Sequence, residues 1–208
     1  MTGAADTMSM AVRERADFAD FLETLTPEQW AGPTLCAQWT VRELVAHAVS
    51  YDELGWPRTL RRFVRGRFRA GVVNQLGIDE YPCPPEQLIA ILRANLRPRG
   101  LPAAFGGMIA LLDATIHHQD IRRPLGLTRE IPPERLRRAL HLSLRAPPIR
   151  GFQRSRGVTL VATDVGWRHG RGPEVRGPGE AVLMAIAGRR EALAELTGPG
   201  LPVLTARR

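Results

Sequence analysis

Lysine is missing from this 208-residue chain: its 29 basic residues are all arginine, set against 21 acidic ones. A formal charge of +8 and a pI near 11.1 would ordinarily raise nucleic acid as a partner. Here a GC-rich coding sequence explains the arginine equally well, and arginine's very high pKa inflates the pI. The densest basic stretch, segment 58–69 with Arg58, Arg61, Arg62, Arg65, Arg67 and Arg69, reads as a phosphate-contacting face or as a solvated helix face. We expect the latter, and no nucleic-acid partner. Cysteine is also scarce. Cys36 and Cys83 form no CxxC pair, which excludes a disulfide framework and a zinc ribbon and favours a reducing cytoplasm. Neither reads as a nucleophile: Cys36 has buried packing as its default and nears the site described below only if its loop folds over it, and Cys83 lies in a loop between two prolines. No apolar run approaches the roughly eighteen residues of a membrane span, and the N-terminus has no basic, then apolar, secretory pattern. A protein without membrane contact, located in the cytoplasm, is expected.

What is present is ordinary in bulk: apolar content of 44% and charged content of 24% suit a globular chain. An amphipathic stripe from Met8 to Leu25 predicts a first helix. Pro27 and Gly32-Pro33 then enforce an irregular connection carrying Trp30 and Cys36. Thr40 followed by Glu43 is a capping box that starts a second helix near Val41. The arginine-rich segment reads as helical, and a Gly/Pro-containing stretch runs from Gly77 to Pro85. Helices are expected from Pro85 to the stop at Pro98 and Gly100, from about Ala103 to Ile121, and from Pro132-Pro133 to Leu144. Beyond the Pro147-Pro148 break the period changes. Val158–Ala162 reads as a strand, Gly166 to Gly179 as turns, Glu180–Ala187 as a helix and Pro202–Thr205 as a last strand. Residues 1–148 thus read as a helical domain and 149–208 as a small α/β region.

Two histidine segments carry the chemistry. On a helix, Asp113 and His117 stand four apart and share a face. His47, at the edge of the apolar stripe of the second helix, brings a third donor. Two imidazoles and one carboxylate leave open positions on a divalent metal, as catalytic sites do. Asp113 and His117 at this spacing also hydrogen-bond without a metal. Yet Asp113 lies among Ile109, Leu112 and Ile116, where an uncompensated carboxylate is costly. His118, about 100° further round the helix, reads as a flanking residue, and Gln119 and Asp120 as outer-shell or helix-end residues. His141 and His169 read as structural.

At these residues the chain resembles the mycothiol-dependent maleylpyruvate isomerase family. The resemblance rests on Trp30, on Pro33-Thr34-Leu-Cys36-Ala-Gln-Trp39-Thr40-Val41-Arg42 before His47, and on Asp113-x-x-x-His117-x-x-Asp120-Ile-Arg-Arg-Pro-Leu-Gly126. It extends through Ala162-Thr-Asp164, Trp167, Gly172-Pro173, Gly177-Pro178 and Ala187-Gly-Arg189. It implies a mainly α protein: a DinB-like antiparallel four-helix bundle holding a divalent ion, zinc first, with a small C-terminal α/β (sterol-carrier-like) region. It further implies metal ligands His47, Asp113 and His117, and mycothiol as thiol co-substrate. The family pattern carries glutamate where this chain has Asp113, so the oxygen sits about one methylene further back. The expectation is a thiol-dependent transferase or isomerase acting on an electrophilic small molecule, with Arg122 and Arg123 as candidate carboxylate holders. The alternative is a non-catalytic metal- or small-molecule-binding bundle.

Overall fold

The structure, a computed structural model, describes residues 3–36, 38–147 and 149–207. Ala37 of the motif loop, Pro148 of the proline break, Arg208 and the first two residues of the N-terminus lie outside the described residues. The chain is mainly helical with one small sheet, and it divides into two compact units, Met1–Thr128 and Arg129–Arg208. That division falls earlier than the proline break at 147. No helix among the described residues is long and apolar enough to cross a membrane.

The first unit contains α1 (Gly3–Leu22), α2 (Pro27–Trp30), α3 (Val41–Val49), α4 (Trp56–Arg65), α5 (Ala70–Asp79), α6 (Pro85–Ala94) and α7 (Ala104–Arg122). Its longest helices, α1 and α7, pack along each other; α6 lies against α1, and α3 lies against both α6 and α7. The core between them is built from Phe18, Leu22, Trp30, Val41, Leu44, Val45, Leu88, Leu92 and Ile121, apolar positions that recur at helical spacing.

The starts of α2 and α3 are written in the sequence. Thr26 and Gln29 form a capping box, so the expected irregular connection contains one helical turn. At α3 the Thr40 amide donates to Glu43 Oε2 at 2.8 Å and the Glu43 amide donates to Thr40 Oγ1 at 3.3 Å, which satisfies two otherwise orphaned donors.

The arginine-rich segment folds as α4 followed by a break. Arg67 and Phe68 have φ of 52° and 56°, and a Cβ on Gly66 would stand 2.4 Å from Val73 Cγ2. The missing side chain lets α5 fold back against α4. The span expected to be irregular from Gly77 therefore begins inside a helix.

In the second unit are α8 (Pro133–Ser143), α9 (Gly151–Ser155), β1 (Thr159–Ala162), β2 (Trp167–Gly170), β3 (Glu174–Gly177), α10 (Gly179–Ile186) and α11 (Leu201–Thr205). The sheet order is β2-β1-β3, with β1 antiparallel to β2 and parallel to β3; Leu160 pairs with His169 on one side and Val175 on the other. α8 and β1 both pack on α10.

Two expectations are corrected here. The glycine-rich stretch from Gly166 to Gly179 holds two short strands, because pairing with β1 supplies the order that local composition does not. Pro202–Thr205 is helical, not a strand. Pro202 lies in the first turn of α11, where its missing N–H costs nothing, and Leu204 is buried while α11 lies against β3.

Candidate metal centre

The centre is assembled by α3, α7 and the loop between α2 and α3. The capping box fixes where α3 begins, and six residues further on His47 is carried to the buried side of the helix. Regular helix in α7 starts only after Phe105, Gly106 and Gly107, all with positive φ. From there Asp113 and His117 stand one turn apart.

His117 Nε2 lies 3.2 Å from Asp113 Oδ1, and His47 Nε2 lies 4.0 Å from the same oxygen. One donor atom from each residue falls within 4.8 Å of the others. The structure thus brings together all three residues singled out from the sequence. Both imidazoles are 10% exposed at the side chain while the Asp113 carboxylate is 28% exposed. The group is walled by protein yet open on the carboxylate side. Trp39 stacks obliquely on His47 with ring centres 5.0 Å apart, and Tyr51 and His117 meet that ring edge-on.

The surroundings shift the two histidines in opposite directions. Burial, the dominant influence, pushes His47 down to about 4, against the pull of Asp113 and with further help from His117 and Arg62. Burial also opposes the charge on His117. There the carboxylate of Asp113, the Cys36 sulfur and hydrogen bonds to Asp113 and Asp120 prevail, and its pKa lies well above the usual histidine value. Asp113 would be raised by burial alone, but the imidazole of His117 holds its carboxyl below the ordinary range. The surroundings thus favour the neutral form of His47 and the charged form of His117, bonded to a carboxylate.

A shell of further residues fixes His117. Its Nδ1 lies 2.9 Å from Asp120 Oδ2, and Asp120 is fully buried. The Cys36 thiol donates to the same Oδ2 at 3.1 Å, with the sulfur 3.7 Å from His117 Nδ1. Cys36 arrives there because the motif loop is pinned at both ends: Leu35 N donates to Asp120 O at 3.0 Å, and Val41 N donates to Gly32 O at 3.0 Å. Asp120, read from the sequence as an outer-shell or a helix-end residue, is buried behind His117. No local pattern announces the partnership with Cys36, which lies in the loop between α2 and α3 while Asp120 lies on α7. Cys36, His117 and Asp120 themselves form a second group with metal-ligating atoms in reach of one another.

Other sequence candidates lie elsewhere. His118 is wedged between Phe18 and Phe21, 3.5 Å from Glu14, and accepts from Arg122 Nε at 2.8 Å. Arg122 also covers the Phe21 ring at 3.9 Å and donates to Thr128 O, so it knits α7 to α1. Gln119 is buried, and among the described residues its Oε1 has no hydrogen-bond partner. Arg62 departs from the expected solvated face. It is buried, donating to Ser50 Oγ and O at 3.0 Å and to Glu80 at 2.7 Å, and it lies 4.8 Å over the Tyr51 ring. In the second unit, His169 stacks on Trp167.

The donor set suits a divalent ion. Two imidazole nitrogens and one carboxylate oxygen, with a side open to a further ligand, match the composition of catalytic zinc and related sites. The buried Nδ1 of His47 has no partner among the described residues.

Comparison with known proteins follows the same lines. Residues 11–98 match the family model described as the mycothiol maleylpyruvate isomerase N-terminal domain. The whole chain is similar in fold to the crystal structure of the mycothiol-dependent maleylpyruvate isomerase, with a TM-score of 0.61 at 17% identity. A histidine-to-alanine mutant of that enzyme gives 0.62 at 16%. Both alignments cover 94% of this chain and 92% of the other, and at such identities the likeness is one of fold. The chain has no match among curated protein sequences.

Proposed function

We propose, from the match of residues 11–98 to the mycothiol maleylpyruvate isomerase N-terminal domain model, that this chain is a divalent-metal-dependent enzyme. In this reading it uses mycothiol, a low-molecular-weight thiol, in an isomerase or transferase reaction on an electrophilic small molecule. Helices α1, α3, α6 and α7 serve as a DinB-like four-helix bundle, and their mutual packing supports that reading. One observation carries the functional proposal: His47, Asp113 and His117 present three donor atoms within 4.8 Å on a partly open, otherwise buried wall.

These residues would hold zinc or a similar ion. A bound divalent ion would lower the pKa of a thiol sulfur placed on it, making thiolate available at neutral pH. The chain's own contribution is positional. Asp120 fixes the tilt of His117 through Nδ1, so that Nε2 faces Asp113. Trp39 stacks obliquely on His47 and Tyr51 meets it edge-on, and together they shield it from bulk water. The exposed edge of Asp113 marks the side from which thiol and electrophile approach. Thiolate addition to a conjugated double bond, rotation and elimination would give isomerisation; addition with loss of a leaving group would give S-transfer.

The test is metal content of protein purified without chelator, for wild type and for His47→Ala, Asp113→Ala and His117→Ala. About one ion per chain in wild type, lost in each variant, is expected of a three-ligand site. Cobalt-substituted protein then reports the thiol: a sulfur-to-metal charge-transfer band on adding mycothiol supports the thiol-dependent reading. Metal uptake with no such band leaves a metal-binding bundle without thiol chemistry. Absence of metal even after adding zinc overturns the proposal.

A further inference from the structure

The arginine-rich helix is the part of the first unit that the metal centre does not absorb. On α4, Trp56, Leu60 and Val64 stand four residues apart, and each is more than half exposed, at 59%, 60% and 57%. Steps of four advance about 40° around a helix, so the three form one continuous apolar strip. Beyond the end of α4, Phe68 in the break and Val72 on α5 are also exposed, Phe68 at 68%. Monomeric proteins rarely leave so many large apolar side chains side by side in water without a partner for them.

The flank of the strip identifies the partner's chemistry. Arg58, Arg61, Arg65, Arg67 and Arg69 are exposed beside it, while Arg62, on the inward face, is engaged with Ser50 and Glu80. No aspartate or glutamate occurs between Glu53 and Asp79. The nearest acid paired with the exposed set is Glu80, 3.8 Å from Arg65. A second copy of the chain would set arginine against arginine across a two-fold contact, which opposes association. An anionic bilayer surface answers both features at once: lipid headgroups neutralise the arginines while Trp56, Leu60, Val64 and Phe68 enter the interface. Such a peripheral contact needs no membrane-spanning segment.

We propose that α4 and the start of α5 form a docking surface for anionic lipid membranes. The experiment is sedimentation of the full chain with vesicles of phosphatidylcholine alone or with added phosphatidylglycerol, at low and high salt. Binding is expected only to the anionic vesicles and is expected to weaken with salt. Arg61→Gln and Arg65→Gln should each weaken it by about fivefold, on the order of one exposed basic contact. Leu60→Glu with Val64→Glu should abolish it while leaving helix content and metal content unchanged. Insertion of the strip should also shift tryptophan emission to the blue in wild type, and that shift should vanish in Trp56→Phe. Three results would overturn the proposal: no retention on anionic vesicles, undiminished binding by the arginine and leucine variants, or self-association abolished by Leu60→Glu, which would assign the face to a second copy.

Discussion

Asp120 links His117 to the loop that carries Cys36. Its carboxylate contacts both His117 Nδ1 and Cys36 Sγ, and it does so while fully buried. A carboxylate behind a ligating histidine fixes its tautomer and strengthens it as a donor, and losing one typically costs about 10–100-fold in metal affinity. Asp120→Asn keeps the volume and a hydrogen-bonding oxygen but removes the charge. We expect weaker zinc affinity in that range, measured by competition with a chromophoric chelator, and a lower His117 pKa in the metal-free protein, read by NMR of the imidazole. Unchanged affinity would make Asp120 a packing residue only. Cys36→Ser tests the other side of the contact. A hydroxyl still donates to Asp120, so affinity close to wild type is expected, in contrast to the loss in Asp120→Asn.

At the scale of elements, the site was legible wherever local chemistry dictates geometry. Thr40 and Glu43 announce the start of α3, and with it the placement of His47; the spacing of Asp113 and His117 puts them on one face without reference to the rest of the chain. The unreadable parts depend on contacts distant in sequence. Cys36 reaches Asp120 because Leu35 bonds to a carbonyl near the end of α7, a pairing across 85 positions that no local pattern encodes. β2 and β3 exist through pairing with β1, and Arg62 turns inward because Ser50 and Glu80 wait there. The cap itself is testable. Thr40→Ala removes the acceptor for the Glu43 amide and the hydroxyl bonded to Glu43 Oε2. It should lower stability by about 1 kcal/mol, seen as an earlier urea midpoint with unchanged slope. No shift would mean that the Gly32 to Val41 bond alone holds the helix start.

Across the whole molecule, the opposed shifts of the two histidines should make stability and the proposed metal binding move in opposite directions with pH. In the metal-free protein, His117 has its folded pKa raised above the unfolded value near 6.5. Its contribution is therefore complete below about pH 6.5 and is lost as pH rises through the folded pKa. His47 behaves inversely. With a folded value of about 4, it favours folding fully above about pH 6.5 and loses that contribution as pH falls toward 4. Asp52, raised by burial to about 6 despite Arg15, counteracts His47 in much of the same window: its folded form binds more protons than the unfolded chain, so its stabilisation fades as pH rises from about 4 to 6. Between pH 4 and 6 the two offset, and a shallow dependence is expected. Above pH 6.5 the His117 contribution is progressively lost, and the melting temperature of metal-free protein should fall. Zinc at the proposed site should reverse that trend, because a metal needs the neutral imidazole and would displace the His117 proton. Its apparent affinity, and the stabilisation it confers by mass action, should grow over the same interval. Zinc titration near pH 7 in buffers of differing ionisation enthalpy should register release of about one proton per ion, with none from His47, which is already neutral. In His117→Ala both the alkaline loss of stability in the metal-free protein and the proton release should disappear. If zinc binds wild type at pH 7 with no proton release, His117 is neutral before the ion arrives and the paired-histidine account fails.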